Sequence, residues 1–322
     1  MLPNPLKKAL EEEVLIFLEK GGSAAVLKEG QKQLHQTYQK ELLGRHGQET
    51  VVKRYAYLLT RFPATYHAVA HVLKGIEGQG ITSCVDVGAG SLASSLAAAF
   101  TLPSLEKITS LEQDANLLAI GQGLLQKMEQ SIQRKVHPIC QRISSQESLP
   151  ASQLVLFSYS LGEMEGEEAR KIVRNAFFAT EQWLVIVEPG TPRGFQRILA
   201  MRQELLELGG HLVAPCPHAW ACPMSTGDWC HFSVRLERSF WHRYVKGAHL
   251  GYEDEKYCYL LVSKQAATQG RARVLSSPEK HGGHVRMKLC TSDGKIQEKL
   301  FSKKCGLPYQ TAKKISWGDA MQ

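Results

Sequence analysis

The chain has 322 residues, enough for two domains, with 43% apolar residues and a formal net charge of +8. No apolar run reaches the ~20 residues of a membrane-crossing helix, so an integral helical membrane protein is excluded. Met1-Leu2-Pro3-Asn4-Pro5 runs on to Glu11-Glu12-Glu13, the pattern of neither a signal peptide nor an Arg-rich transit peptide. The expected compartment is a reducing, bacterial-type cytoplasm, where clustered thiols mean metal before disulfide.

The first seventy-odd residues read as helices. Leu6, Leu10, Val14, Phe17 and Leu18 recur at helical spacing until Gly21-Gly22 breaks the pattern. A second helix is expected from Ser23 to about Leu43, ending at Gly44, and a third from Val51 to about Leu59. Pro63 is expected to start a further helix running to Leu73. Arg61 and Tyr66, in the run Arg61-Phe62-Pro63-Ala64-Thr65-Tyr66, suit contact with a ligand or RNA or a structural corner, of which the corner is the favoured reading.

From Ile81 the pattern changes to strands alternating with helices. Ile81–Val87 is a short apolar strand, followed by Gly88-Ala89-Gly90 and a small-residue helix from Ser91 to Phe100. Glycines at such a turn let the backbone approach a nucleotide-like ligand. The next strand, Ile108–Glu112, ends on a carboxylate that can accept both ribose hydroxyls. Leu92 stands near where the dinucleotide fingerprint has its third glycine, which fits S-adenosylmethionine, a ligand without phosphates, better than a pyrophosphate.

Further strands are expected at Val136–Ile143, Leu154–Tyr159, Trp183–Glu188, His211–Ala214 and Lys256–Val262, with a helix over Phe195–Leu208. The alternation predicts a doubly wound, Rossmann-like parallel sheet of seven strands, its ligands beyond the carboxyl ends. The expected cofactor residues are Asp86, Gly88, Gly90, Glu112 and Ser158. The position after the fourth strand reads Ser158-Tyr159-Ser160-Leu161, without the Pro-Pro turn of amino-group methyltransferases acting on bases.

Between the sixth and seventh strands lies Pro215–His231, with Cys216, Cys222 and Cys230 in a C-x5-C-x7-C spacing among prolines. A loop this irregular has little packing of its own, and a metal or iron–sulfur cluster would cross-link it. The competing reading is small buried core cysteines. Cys84 and Cys140 fall in strand patterns and read as structural.

From residue 264 on, Lys and Arg outnumber Asp and Glu by eight, which is the whole chain's net charge. A basic last quarter on a neutral body points to a polyanion, most simply RNA. Arg271–Val274, Val285–Leu289 and Lys295–Phe301 read as short strands, suited to a small OB-like barrel. The segment His231–Lys246 reads as a helix carrying Arg235, Arg238, Arg243 and Lys246 beside Phe240, Trp241 and Tyr244, and Lys303-Lys304 adds a basic pair. Arg pairs phosphates and aromatics stack on unpaired bases.

Asp86-Val87-Gly88-Ala89-Gly90 is similar to the class I S-adenosylmethionine methyltransferase core. Glu188–Phe195, Pro215–His218, Cys222–Met224, Asp228–Ser233, Tyr252–Lys256, Arg61–Tyr66 and Trp317-Gly318-Asp319 together resemble the small-ribosomal-subunit Rsm-twenty-two family, also the methyltransferase-like protein seventeen family. The resemblance covers nearly everything after about residue 50. It implies an α/β class I methyltransferase fold, association with small-subunit rRNA during assembly, S-adenosylmethionine and a four-cysteine [4Fe-4S] cluster. Cys216, Cys222 and Cys230 match three ligands, and Cys290 is the fourth by its place in the family pattern. Cys258, inside a strand, and Cys305, at a turn, are its rivals, and zinc is the alternative metal.

The expected layout is a helical region over 1–76, a methyltransferase-like domain over 77–264 with a cysteine-rich insertion at 215–250, and a basic β-rich module over 265–322. A monomer is expected. Two functional classes stay open, an rRNA methyltransferase and an assembly factor that uses the fold as an RNA-binding scaffold. A redox or iron sensor without RNA is disfavoured by the basic terminus.

Overall fold

The computed structural model describes residues 1–40, 51–224, 227–267 and 270–321. In chain order the helices are α1 Asn4–Glu19, α2 Ala24–Lys40, α3 Val51–Leu73, α4 Ala93–Thr101, α5 Ala115–Gln126, α6 Gln130–Gln133, α7 Gly166–Ala179, α8 Pro192–Glu207, α9 Phe240–Lys246 and α10 Leu307–Lys314. The strands are β1 Ser83–Val87, β2 Lys107–Glu112, β3 Val136–Cys140, β4 Ser152–Ser158, β5 Thr180–Pro189, β6 His211–Ala214, β7 Phe232–Glu237, β8 Tyr252–Ser263, β9 Ala272–Val274, β10 Glu279–Lys280, β11 His284–Thr291, β12 Ile296–Ser302 and β13 Ala320–Met321. They divide into two compact units, one of residues 1–180 and 234–255, the other of 181–233 and 256–322.

In the first unit, α1 buries Leu6, Leu10, Val14 and Phe17, the stripe legible in the sequence. The expected end of α2 at Leu43–Gly44 lies outside the described residues. The break expected at Pro63 does not occur, because α3 runs unbroken through it. Fourteen residues between Ala56 and Leu73 are buried along that helix. At about 1.5–3 kcal/mol for each large side chain, their burial outweighs the ~3 kcal/mol an interior proline costs. The carbonyl of Pro63 is then taken by His67 Nδ1 at 2.7 Å.

The strands of this unit lie parallel in the order β3-β2-β1-β4, with Val85 facing Thr109 on one side and Val155 on the other. β1 and β4 are almost wholly buried, which is why both read as continuous apolar runs. Val245 of α9 packs with Val14, Phe17, Leu27 and Leu59.

The segment His231–Lys246 departs from the expected helix. Its first half is β7, in which Phe232, Val234 and Leu236 alternate, and only Phe240–Lys246 is helical. Ser239 caps that short helix, its Oγ accepting from His242 N at 3.2 Å.

The second unit pairs its strands in the order β5-β8-β6, and β8 runs antiparallel to both neighbours. The sheet is therefore mixed rather than all parallel. Its fold class is the expected α/β, Rossmann-like arrangement with an antiparallel strand near one edge. The C-terminal residues add a separate antiparallel sheet, β10-β11-β9-β13 with β12 on β11. Val274, Val285, Met287, Leu289 and Phe301 close its core against Tyr309 and Ala312 of α10. Among the described residues no helix is long and apolar enough to cross a membrane.

Candidate cofactor loop and cysteine centre

In the first unit the carboxyl ends of β1, β2 and β4 meet at one place. Gly88 N and Ala89 N both donate to Leu111 O at 2.9 Å, which fastens the glycine turn to β2. Gly88 has φ +78°, and a Cβ there would lie 2.5 Å from Cβ of Ser160, in the loop after β4. Ser160 Oγ donates to Val87 O at 3.0 Å. The only described non-glycine residues with positive φ, Leu92 and Tyr159, stand in these two loops. Strained backbone of this kind clusters at functional sites in proteins generally.

Glu112 closes the turn. Its Oε2 accepts from Gly90 N and its Oε1 from Asp114 N, each at 2.8 Å. Each carboxylate oxygen keeps capacity for a second donor, as vicinal ribose hydroxyls would require. Burial raises the Glu112 pKa, and the backbone N–H donors oppose that rise. Ser158, the last residue of β4, is buried. Asp86 is wholly buried beneath the turn, and its Oδ2 accepts from Ser94 and Ser95 hydroxyls at 2.6 Å. It anchors α4 to β1.

Burial pushes the Asp86 carboxyl up to about 6, against the two hydroxyl donors, which pull it down. The folded chain thus holds this proton more tightly than the unfolded chain, whose value lies near 3.8. Stability therefore falls as pH rises from about 4 to about 6, and this contribution is constant above that, at most about 3 kcal/mol. Urea midpoints at pH 4.5 and 7 should show a smaller loss in Asp86→Asn than in the unaltered chain; equal losses would refute the assignment.

Three residues outside the expected cofactor set lie at the same strand ends. Tyr57 Oη of α3 lies 3.8 Å from where a Cβ on Gly90 would be. Arg61 grips Glu255 through both amino groups, at 2.9 and 3.2 Å, and lies over the Tyr159 ring. Tyr159 Oη donates to Glu255 Oε1 at 3.1 Å. The corner expected at Arg61 does not form, because the residue lies within the unbroken helix α3, and its partner Glu255 was visible only as an acid in the run Tyr252–Lys256.

In the second unit one cavity is lined by Cys216, Cys222, Cys230 and Cys290, the four expected ligands, with Cys258, His218, Arg202 and Arg273. Residues 225 and 226 of the cysteine loop lie outside the described residues. Side chains tie the rest of the loop down. Trp229 Nε1 donates to Gly190 O at 3.0 Å, Lys288 pairs with Asp228 at 2.6 Å and Arg273 Nε donates to Pro215 O at 2.7 Å. Of the rival thiols, Cys258 is buried and donates to Cys230 O at 3.1 Å, while Cys305 is exposed on the turn before α10.

Burial raises the Cys230 pKa, and Cys216, Cys258, Cys222 and Cys290 raise it further. Cys290 is pushed up to about 12, by burial first and then by Cys216 and Cys222. Neighbouring thiols thus oppose the ionisation of Cys222, Cys230 and Cys290, an opposition that a bound cationic metal core would reverse. Among the described residues no three His, Cys, Asp or Glu side chains stand close enough to hold one metal ion. The sulfurs of a single zinc ion stand about 3.8 Å apart, from a Zn–S length of about 2.3 Å. The four thiols line one cavity without reaching that single-ion spacing.

The expected RNA contacts divide into two groups. Arg235 is paired with Asp254 at 2.8 and 2.9 Å and lies over the Tyr252 ring. Arg238, Lys246 and the buried His242 all converge on Glu253. Arg243 is exposed, as are Lys303 and Lys304. Trp241 packs against the core of the first unit, whereas Phe240 and Tyr244 are exposed and stacked with centroids 6.3 Å apart.

The sequence model of the family described as "Mitochondrial small ribosomal subunit Rsm22" matches residues 51–322. Two curated relatives from Schizosaccharomyces pombe, the Rsm22-cox11 tandem proteins 1 and 2, mitochondrial, are each 28% identical over 213 residues. That match covers 52% of this chain and only 28% of each relative's length. Among solved structures, the magnesium protoporphyrin IX methyltransferase of Synechocystis with bound SAM is similar with a TM-score of 0.47 and 12% identity, over 70% of this chain and 96% of that one. The plantazolicin methyltransferase BpumL in complex with SAH is similar with a TM-score of 0.42 and 11% identity, over 74% and 100%.

Proposed function

The chain belongs to the small-ribosomal-subunit Rsm22 family, and from that premise we propose that it is an S-adenosylmethionine-binding, iron–sulfur protein that binds small-subunit rRNA during assembly. The observation that carries this reading is the convergence of Cys216, Cys222, Cys230 and Cys290 on one cavity, with Cys290 contributed by the basic β-rich module. These four would hold a [4Fe-4S] centre, which when bound cross-links the 216–230 loop to β11. Zinc on the same thiolates is the alternative metal.

Gly88, Gly90, Glu112 and Ser158 would take the cofactor, with Asp86 fixing the turn from below. Arg243, Lys303 and Lys304 are the cations best placed for phosphates, with Phe240 and Tyr244 as stacking faces. Arg235, Arg238 and Lys246 would have to leave their carboxylates to join them. The protein is read as a monomer working in a reducing cytoplasm, whereas the curated relatives are mitochondrial by name.

Whether a methyl group is transferred turns on the loop after β4. There Tyr159 is engaged by Glu255 and Ser160 by Val87 O, and the Pro-Pro turn is absent. This favours an assembly factor that keeps the cofactor fold as a scaffold over an active rRNA methyltransferase. Incubating the protein with methyl-labelled S-adenosylmethionine and precursor small subunits tests this. Bound rRNA without incorporated label is expected, label above that of a Gly88→Val control would establish an enzyme, and no rRNA binding would overturn the whole reading.

A further inference from the structure

The cysteine cavity carries a second chemical signature, its balance of charge. Two guanidinium groups line it, Arg202 from α8 and Arg273 from β9. Arg202 is 4% exposed. Its Nη2 donates to the carbonyls of His218 at 3.0 Å and Trp220 at 2.7 Å, and its buried Nε has no partner. Arg273 donates from Nε to Pro215 O at 2.7 Å and from Nη1 to Gly318 O at 2.8 Å. Among the described residues neither guanidinium stands in an ion pair with a carboxylate, and no carboxylate lines the cavity. Every acceptor these two cations use is a neutral backbone oxygen.

A buried cation without an anion is among the costlier arrangements in a protein, and it persists where a counter-charge is supplied; Arg202 is such a cation, and Arg273 is half-buried beside it. The ionisable acids lining the cavity are the four expected ligand thiols, Cys258, whose S–H is given to Cys230 O, and the Tyr259 hydroxyl. Four thiolates on the dicationic core of a [4Fe-4S] cluster leave a dianion, and two guanidiniums balance it. We propose that Arg202 and Arg273 are the charge-balancing pair of the cysteine centre, and that the cavity is built for a tetrathiolate group whose resting net charge is that of a dianion. This rests on the reading of the cysteines as ligands. Both arginines are positioning residues, since they hold the loop carbonyls beside the ligands while supplying the charge.

The two roles separate experimentally. If the guanidinium only ties the His218 and Trp220 carbonyls, Arg202→Met weakens the protein with and without metal alike. If it balances charge, the variant behaves oppositely in the two forms. Removing an uncompensated buried cation should raise the melting temperature of the chelator-treated full-length chain above that of the unaltered chain treated likewise. In the metal-loaded chain the same substitution should speed release of metal to a chromogenic chelator about tenfold or more. Arg202→Lys keeps the charge and should restore slow release, and Arg273→Met, at a half-buried position, should change both forms in the same directions as Arg202→Met but by less. Equal destabilisation of both forms by both methionine variants would overturn the proposal. A chain that retains no metal when purified without oxygen would instead remove the ligand reading beneath it.

Discussion

Cys290→Ser is expected to lose the metal centre and rRNA affinity together while the first unit stays folded. Cys290 sits in β11, paired with Arg273 of β9 and Ile296 of β12, and its thiol reaches the same cavity as Cys216, Cys222 and Cys230. Serine fits the strand, so the sheet of the C-terminal module should form, but a hydroxyl is a poor ligand for a soft metal. Without the fourth sulfur, β11 and the 216–230 loop lose their inorganic cross-link. Affinity for small-subunit rRNA should fall tenfold or more, equivalent to about 1.4 kcal/mol, with far-ultraviolet dichroism nearly unchanged. Cys258→Ser and Cys305→Ser are the controls. Cys258 spends its S–H on a backbone carbonyl and Cys305 is exposed away from the cavity, so both variants should keep the metal. Full rRNA affinity in a metal-free Cys290→Ser chain would contradict this account.

Gly88→Val should abolish cofactor binding while Gly90→Ala only weakens it. Two penalties fall on Gly88, a φ of +78° and a Cβ that would stand 2.5 Å from Ser160 Cβ. The left-handed backbone alone costs roughly 1–2 kcal/mol for an L side chain. The clash cannot be relieved cheaply, because Ser160 is held by its own hydrogen bond to Val87 O. At Gly90 the φ is +56°, but the nearest atoms, Leu117 Cδ2 at 3.5 Å and Tyr57 Oη at 3.8 Å, leave room for a methyl group. Calorimetric titration with S-adenosylmethionine should show no measurable binding for Gly88→Val and a loss of about tenfold for Gly90→Ala. Equal binding by all three chains would place the cofactor elsewhere.

The parts of this fold that read well from the sequence are those whose signal is local. Buried parallel strands such as β1 and β4 are unbroken apolar runs, and a glycine turn before a small-residue helix has few other meanings. The cysteine loop announced itself by crowding. What did not read well depends on partners distant in the chain. The direction of β8 leaves no trace in its residues, since an antiparallel strand buried on both faces is as apolar as a parallel one. Pro63 is a break by local rule, and only the burial of α3 on both sides overrides it. Arg235 and Arg238 look like free cations until the pairing of β7 with β8 brings Asp254 and Glu253 beside them. The charge balance around Arg202 was invisible for the same reason, because what marks it is the missing carboxylate.

The most direct test of the account is the inorganic content of the full-length chain purified without oxygen. Iron and acid-labile sulfide in equal amounts, both lost in Cys290→Ser, are the predicted result. A chain that holds neither iron nor zinc, with Cys216, Cys222, Cys230 and Cys290 all free to react with an alkylating agent, would contradict it.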